Sequence, residues 1–233
     1  MTVARLQAIS GILFAAFLIL HLATTTSAVG GPATYDAVLE GMRNVYRPHL
    51  VVELLLIGLA GSVHIVCGIV RIIRRRRDPN RVKPSLVVRI HHWAGYVLLL
   101  AIAGHVFATR VMPALATGPT ATGKADFSYL AYSVTGWPLF MKPYYVLLGA
   151  AGAIHLGLGL GLAAGVLFGG RADPRKLQRF AVGGAAVLTV LVVCGVLSII
   201  RNAPRADRSR FAEFRVLYER FLPFMMGARQ PDE

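Results

Sequence analysis

Charge and cysteine are both scarce in this sequence, and each scarcity excludes something. Charged residues make up 15% of the 233, against about 25% in an average soluble domain. The charges also cluster, leaving long apolar runs between them, which excludes an ordinary water-soluble domain. The two cysteines, Cys67 and Cys194, both fall inside apolar runs, so a disulfide framework is excluded as well. No lipidation motif is present. The excess of basic over acidic residues gives a net charge of +14. It is not a nucleic-acid footprint, because the basic residues bracket the apolar runs, where orientation in a bilayer and contact with anionic lipid account for them. The first residues have the outline of a secretory leader, but the apolar stretch from Leu6 to Val29 is long enough to span a bilayer and is read as a retained helix.

What is present is a set of five apolar segments, roughly 6–29, 49–73, 89–112, 144–168 and 180–201, each bounded by proline, glycine or a basic cluster. Each reaches the length of about 20 residues that a membrane-spanning helix needs. None shows the period-two alternation of a barrel strand. The expected fold is all-α: an integral membrane five-helix bundle over 1–201, followed by a basic tail over 202–233.

Lysine and arginine set the expected orientation. Thirteen lie at Arg5, in the link between helices 2 and 3 (Arg71, Arg74 to Arg77, Arg81, Lys83, Arg89) and in the link between helices 4 and 5 (Arg171, Arg175, Lys176, Arg179). Five (Arg43, Arg47, Arg110, Lys124 and Lys142) lie in the other two links. The N-terminus is therefore expected on the cytoplasmic side of the cell inner membrane. Residues 201–233 carry seven arginines on the opposite side, and an apolar stripe of Phe211, Phe214, Leu217, Tyr218, Phe221 and Leu222. It reads as an amphipathic interfacial helix over about 207–224. The long link from Arg110 to Pro143 is rich in aromatics, which suits a lid or an interfacial belt equally.

His21, His64, His105 and His155 fall one each inside helices 1 to 4. An ionisable residue within a span is costly, and four on successive helices point to a site. His21 lies 16 residues after Arg5 and His105 lies 16 after Arg89, so both sit about 24 Å from the cytoplasmic ends. His64 is 17 residues after Arg47 and His155 is 13 after Lys142, a mismatch of about one helical turn that tilt can absorb. The depths pair His21 with His105 towards the outer side and His64 with His155 deeper. Two imidazoles facing each other can clamp an iron. Gly61 and Gly68 flank His64, and Gly152 and Gly159 flank His155. They make room for a porphyrin or serve close helix packing, as the repeated Gly157, Gly161 and Gly165 do.

The chain at this point resembles the five-helix dihaem cytochrome b anchors of succinate dehydrogenases and quinol:fumarate reductases. The likeness runs from about Arg5 to Arg201 and is carried by RLQAISGILFAAFLILHL, His64, RIHHWAGYVLLLAIAGHVFATR and AIHLGLGLGL. It implies two haem b groups, a distal one on His21 and His105 and a proximal one on His64 and His155. It also implies flavoprotein and iron–sulfur partners on the cytoplasmic face and a quinone as diffusible substrate. The chain would carry electrons without touching succinate. Quinone candidates are Glu40, Arg47 and Glu53 around the start of helix 2, and His91, His92 and Trp93 at the start of helix 3. One departure is Ala153, where some members of that family have a glutamate. Competing expectations are a dihaem anchor for a formate dehydrogenase or hydrogenase, and a haem-free anchor or transporter. A two-His, two-Cys cluster using Cys67 and Cys194 fits poorly, because their depths differ.

Overall fold

The structure, a computed structural model, describes residues 2–46, 51, 54–80, 82–115, 125–169 and 173–223. It is all-helical, with no β-strand among the described residues. Five helices are long and apolar enough to cross a membrane: Val3–Gly30, Leu54–Arg77, Leu86–Leu115, Pro138–Phe168 and Pro174–Arg205. We label the elements α1 (Val3–Ser27), α2 (Pro32–Tyr46), α3 (Leu54–Arg77), α4 (Leu86–Leu115), α5 (Phe127–Gly136), α6 (Pro138–Phe168), α7 (Pro174–Asn202) and α8 (Phe211–Phe221).

Four of the five spans are longer than the sequence expectation, and the second runs on to Arg77 rather than ending at 73. Basic clusters do not stop a helix, because long side chains carry their charge out to the interface from the last turn. Arg74 to Arg77 form the final turn of α3. Caps set the ends instead. Thr2 accepts from the Arg5 N–H at 3.3 Å at the start of α1. Asp173 followed by Pro174 opens α7, with proline at a position where its missing N–H is not needed. Pro138 opens α6 in the same way and Pro143 is carried inside it, so the helix begins earlier than residue 144. Leu100 is 85% exposed and Leu13, Ile19, Val66 and Val187 are also exposed, as lipid-facing side chains must be.

α3 packs on α1, α1 on α6, and α6 on α4, so these four helices stand around a common interior. α7 lies outside that set, against α6 and α1. Its seam with α6 is built from small residues. A Cβ placed on Gly157 would lie 2.5 Å from the Ala185 Cα, and one on Gly161 would collide with Ala181. Lipid tails are as apolar as the helices, so such close approach supplies the association. Ser198 adds a hydrogen bond to the Ala28 carbonyl at 2.7 Å.

The end remote from the arginine clusters is closed by three short helices. α2, in what reads from sequence as a simple link, is an amphipathic helix held to the long aromatic link. Asp36 accepts from the Phe127 N–H at 2.8 Å, and Arg43 donates to the Ala125 carbonyl at 2.9 Å. Burial raises the Asp36 carboxyl above its ordinary pKa, while the Phe127 hydrogen bond pulls the other way. α5 is the lid: Tyr129 donates to the Ala108 carbonyl at 2.7 Å, and Ser133 bonds the Tyr145 hydroxyl at 3.1 Å. The amphipathic tail helix is present as α8. Its stripe of Phe211, Phe214, Leu217 and Tyr218 is buried against the lid, with Tyr218 stacked on Trp137 at 4.8 Å. An ion pair between Arg210 and Asp126 closes the contact.

Replacing Gly157 by valine tests the α6–α7 seam. Overpacking of this kind costs about 1–3 kcal/mol, so the melting temperature of the detergent-solubilised protein should fall. Alanine at the open position Gly183 should leave it unchanged.

Candidate functional site

The four intramembrane histidines meet in two pairs. The His21 and His105 rings have centroids 5.8 Å apart and planes at 68°. The His64 and His155 rings are 6.0 Å apart at 85°. Each pair spans a diagonal of the four-helix set, since α1 is not packed along α4, nor α3 along α6. The rings themselves bridge these diagonals.

The depths now agree. His21 lies 18 residues beyond Val3 and His105 lies 19 beyond Leu86, both about 28 Å from the basic end. His64 precedes Arg77 by 13 residues and His155 precedes Phe168 by 13, which places both about 20 Å from that end. The apparent one-turn mismatch arises from measuring off Arg47 and Lys142, since α6 begins before Lys142 and Arg47 lies outside the described residues.

The inner pair is oriented by backbone. His64 Nδ1 lies 3.1 Å from the Gln7 carbonyl oxygen, and His155 Nδ1 lies 3.2 Å from that of His91. A carbonyl only accepts, so each Nδ1 carries the proton and donates. In a neutral ring the lone pair is then on Nε2, the arrangement typical of metal-ligating histidines. Each ring also lies against a glycine: a Cβ on Gly11 would be 2.7 Å from His64 Nδ1, and one on Gly95 would be 3.0 Å from His155 Cε1. In the outer pair, His21 stacks on Phe17 at 5.8 Å and 16°. Thr25 and Thr109 donate to the carbonyls of His21 and His105 at 3.3 and 2.7 Å. The glycines flanking His64 and His155 face neighbouring helices. Gly61 meets Phe14, Gly68 meets Gln7, Gly152 meets Leu22 and Gly159 meets His91.

Of the further candidates, the structure brings His91 to the inner pair. Its ring stacks on His155 at 4.2 Å and 14°, and its Nδ1 is buried without a hydrogen-bond partner. His92 is half-buried beside it, with ring centroids 6.1 Å apart. Trp93 is 66% exposed near the basic end of α4, packed on Tyr96. Glu40 is half-buried on α2 at the lid end. Arg47 and Glu53 lie outside the described residues. Cys67 is buried on α3 and Cys194 exposed on α7, and no group of three or more His, Cys, Asp or Glu among the described residues is placed to hold a metal ion. A two-His, two-Cys cluster is therefore not formed.

The geometry fits a metal between paired imidazoles. A metal–nitrogen bond of about 2 Å and the radius of an imidazole ring put the centroids of two coaxial ligands about 6 Å apart. Gln7, Gly11 and Gly95 are the contributors that a search for ionisable residues misses. Their signal in the sequence is spacing, since Gly11 precedes His21 by ten residues and Gly95 precedes His105 by ten.

The tautomers are directly testable. In protein labelled with ¹⁵N-histidine, His64 and His155 should both give Nδ1–H resonances, and an Nε2–H signal from either would contradict the carbonyl contacts.

No curated protein and no solved structure matches the chain. Residues 100–204, which are 105 of the 233, match the family described as MDM10-complementing protein 1, transmembrane domain. That match overturns the expected membership of the succinate dehydrogenase and fumarate reductase cytochrome b anchors. It also overturns the reading of the chain as the subunit linking an iron–sulfur protein to quinone. Neither a formate dehydrogenase or hydrogenase anchor nor a haem-free transporter gains support. The flavoprotein and iron–sulfur partners rested on the resemblance alone. The physical reason for the error is that four ordered histidines report how imidazoles meet inside a bundle, and no short motif peculiar to that family accompanied them. Over 100–204 the chain is similar to the transmembrane domain of MDM10-complementing protein 1.

Proposed function

We propose that this multi-pass membrane protein holds two b-type haems, one between His21 and His105 and one between His64 and His155. The observation that carries this reading is the separation of the facing rings, 5.8 and 6.0 Å in the two pairs, which is the spacing of a bis-imidazole iron. The donor set is also right, since imidazole suits iron. The Nδ1 hydrogen bonds of the inner pair support it further, because they leave Nε2 free to ligate.

A bound b-type haem supplies one-electron chemistry at its iron. The chain's own residues orient and shield. The carbonyls of Gln7 and His91 hold two of the four rings in position. Phe17 covers one face of His21. Arg71, which donates to the Gln7 side chain at 2.6 Å, stands with His91 and His92 as the residues that would meet carboxylate groups at the basic end. The family similarity is to mitochondrial membrane proteins, which supports a mitochondrial membrane rather than a cell inner membrane as the location.

The test is a reduced-minus-oxidised spectrum with a pyridine haemochrome count. Two haems per chain are expected, with one lost in His21→Ala and the other in His64→Ala. The near-perpendicular ring planes predict a highly anisotropic low-spin ferric EPR signal from each site. A folded, colourless protein that takes up no haem would overturn the assignment.

A further inference from the structure

The inner histidines are seated by a device that occurs twice. Arg5, Gln7, Gly11, His21 and Thr25 recur as Arg89, His91, Gly95, His105 and Thr109, at a constant separation of 84 residues. Gly58, Ala60, Gly61, His64 and Gly68 recur as Gly149, Ala151, Gly152, His155 and Gly159, at a constant separation of 91. The α1–α3 hairpin is thus repeated as the α4–α6 hairpin, in the same orientation across the membrane, as in parallel transporter repeats.

The structure treats equivalent positions alike. The Gln7 and His91 carbonyls each accept from an inner imidazole at 3.1 and 3.2 Å. Gly11 and Gly95 each lie under that same imidazole. Thr25 and Thr109 each bond back to the carbonyl of an outer histidine. Ala60 and Ala151 are both buried. Each repeat gives one ligand to each pair, so both pairs straddle the boundary between repeats.

A helical carbonyl already accepts one bond from the N–H four residues on, and its second lone pair remains available. A side chain on a helix leans back over the preceding turn. The side chain of residue 11 would therefore cover the carbonyl of residue 7, and that of residue 95 would cover the carbonyl of residue 91. Only glycine leaves the carbonyl open and the ring in contact with the helix.

We propose that Gly11 and Gly95 are positioning residues that fix the inner site. Each exposes a helix carbonyl that locks the tautomer of the imidazole on the next spanning helix and aims its Nε2 across the bundle. This inference rests on the haem reading for one of its two readouts only. The repeats differ in what holds the side chain whose carbonyl accepts. Gln7 has its side chain engaged by Arg71, whereas Leu162 stands at the position equivalent to Arg71 and the His91 Nδ1 is left without a partner.

The experiment compares Gly11→Ala, Gly95→Ala and, as control, Gly104→Ala in the full-length protein. Gly104 adjoins His105, but a Cβ there meets nothing within 4 Å. Alanine is the stronger helix former, so the retained outer haem reports a folded chain. Haem content should fall from two per chain to one in both seat variants, leaving the spectrum of the His64→Ala protein, and should stay at two in Gly104→Ala. Two haems with unchanged spectra in both seat variants would overturn the proposal. If the wild-type protein binds no haem, the haem reading fails, and the seats are judged by ¹⁵N-histidine spectra alone. Gly95→Ala should then shift the His155 Nδ1–H resonance and Gly11→Ala that of His64, and unshifted resonances would sink the inference.

Discussion

A histidine in the hydrocarbon core of a membrane brings polar ring nitrogens into a place with no water to satisfy them. Leaving such a group unpaired costs several kcal/mol by solvent-transfer scales. This chain meets that constraint four times, and much of its architecture follows from how it does so. The rings face one another in pairs across the two diagonals of the four-helix set. The inner rings turn their second nitrogen to backbone carbonyls. Those contacts need the neighbouring helix to come close, and closeness needs glycine. Gly11 and Gly95 are therefore consequences of His64 and His155, as much as the reverse.

The rest of the bundle supports that arrangement from outside it. α7 carries none of the four histidines and packs through Gly157, Gly161, Ala181 and Ala185 against the back of α6. It holds α6 beside α1 without using the interior. At the lid end, α5 and α8 bury Tyr129, Tyr132, Trp137 and Tyr218 among themselves. Burial raises the Tyr129 and Tyr218 phenols above their ordinary pKa, so both stay neutral. The outer His pair, near that end, is capped by protein, whereas the inner pair is nearer the arginine-rich surface. The two sites therefore sit in different electrostatic surroundings on the same scaffold.

The spans were legible in the sequence because hydropathy and charge clustering report directly on a bilayer. Their ends were less so, since capping residues such as Thr2 and Asp173 set them rather than the arginines. The pairing of the histidines was readable from depth alone. The helix α2 was not, because its burial depends on Asp36 and Arg43 reaching a segment far along the chain. The seats were invisible to a search for ionisable groups, because a carbonyl and a missing side chain leave no chemical mark. They become visible only when α1 is laid on α4 and the constant spacing emerges. The resemblance to the cytochrome b anchors misleads for a related reason, since four histidines ordered by bundle geometry carry no mark of descent.

The matched region sharpens this point. Residues 100–204 contain His105 and His155, one histidine from each pair, together with the lid and α7. Their partners His21 and His64 lie in the half outside the match, and so do both seats, Gly11 and Gly95. Either half alone would therefore leave its two imidazoles facing nothing across the bundle. The part outside the match supplies the facing rings and both glycine seats. Between the two hairpins the seat glycines and the threonines recur, and the residues whose carbonyls accept, Gln7 and His91, stand at matching positions, while the intervening apolar residues differ. Lipid-facing positions need only be apolar, but a ring seated on a helix needs a particular atom to be absent.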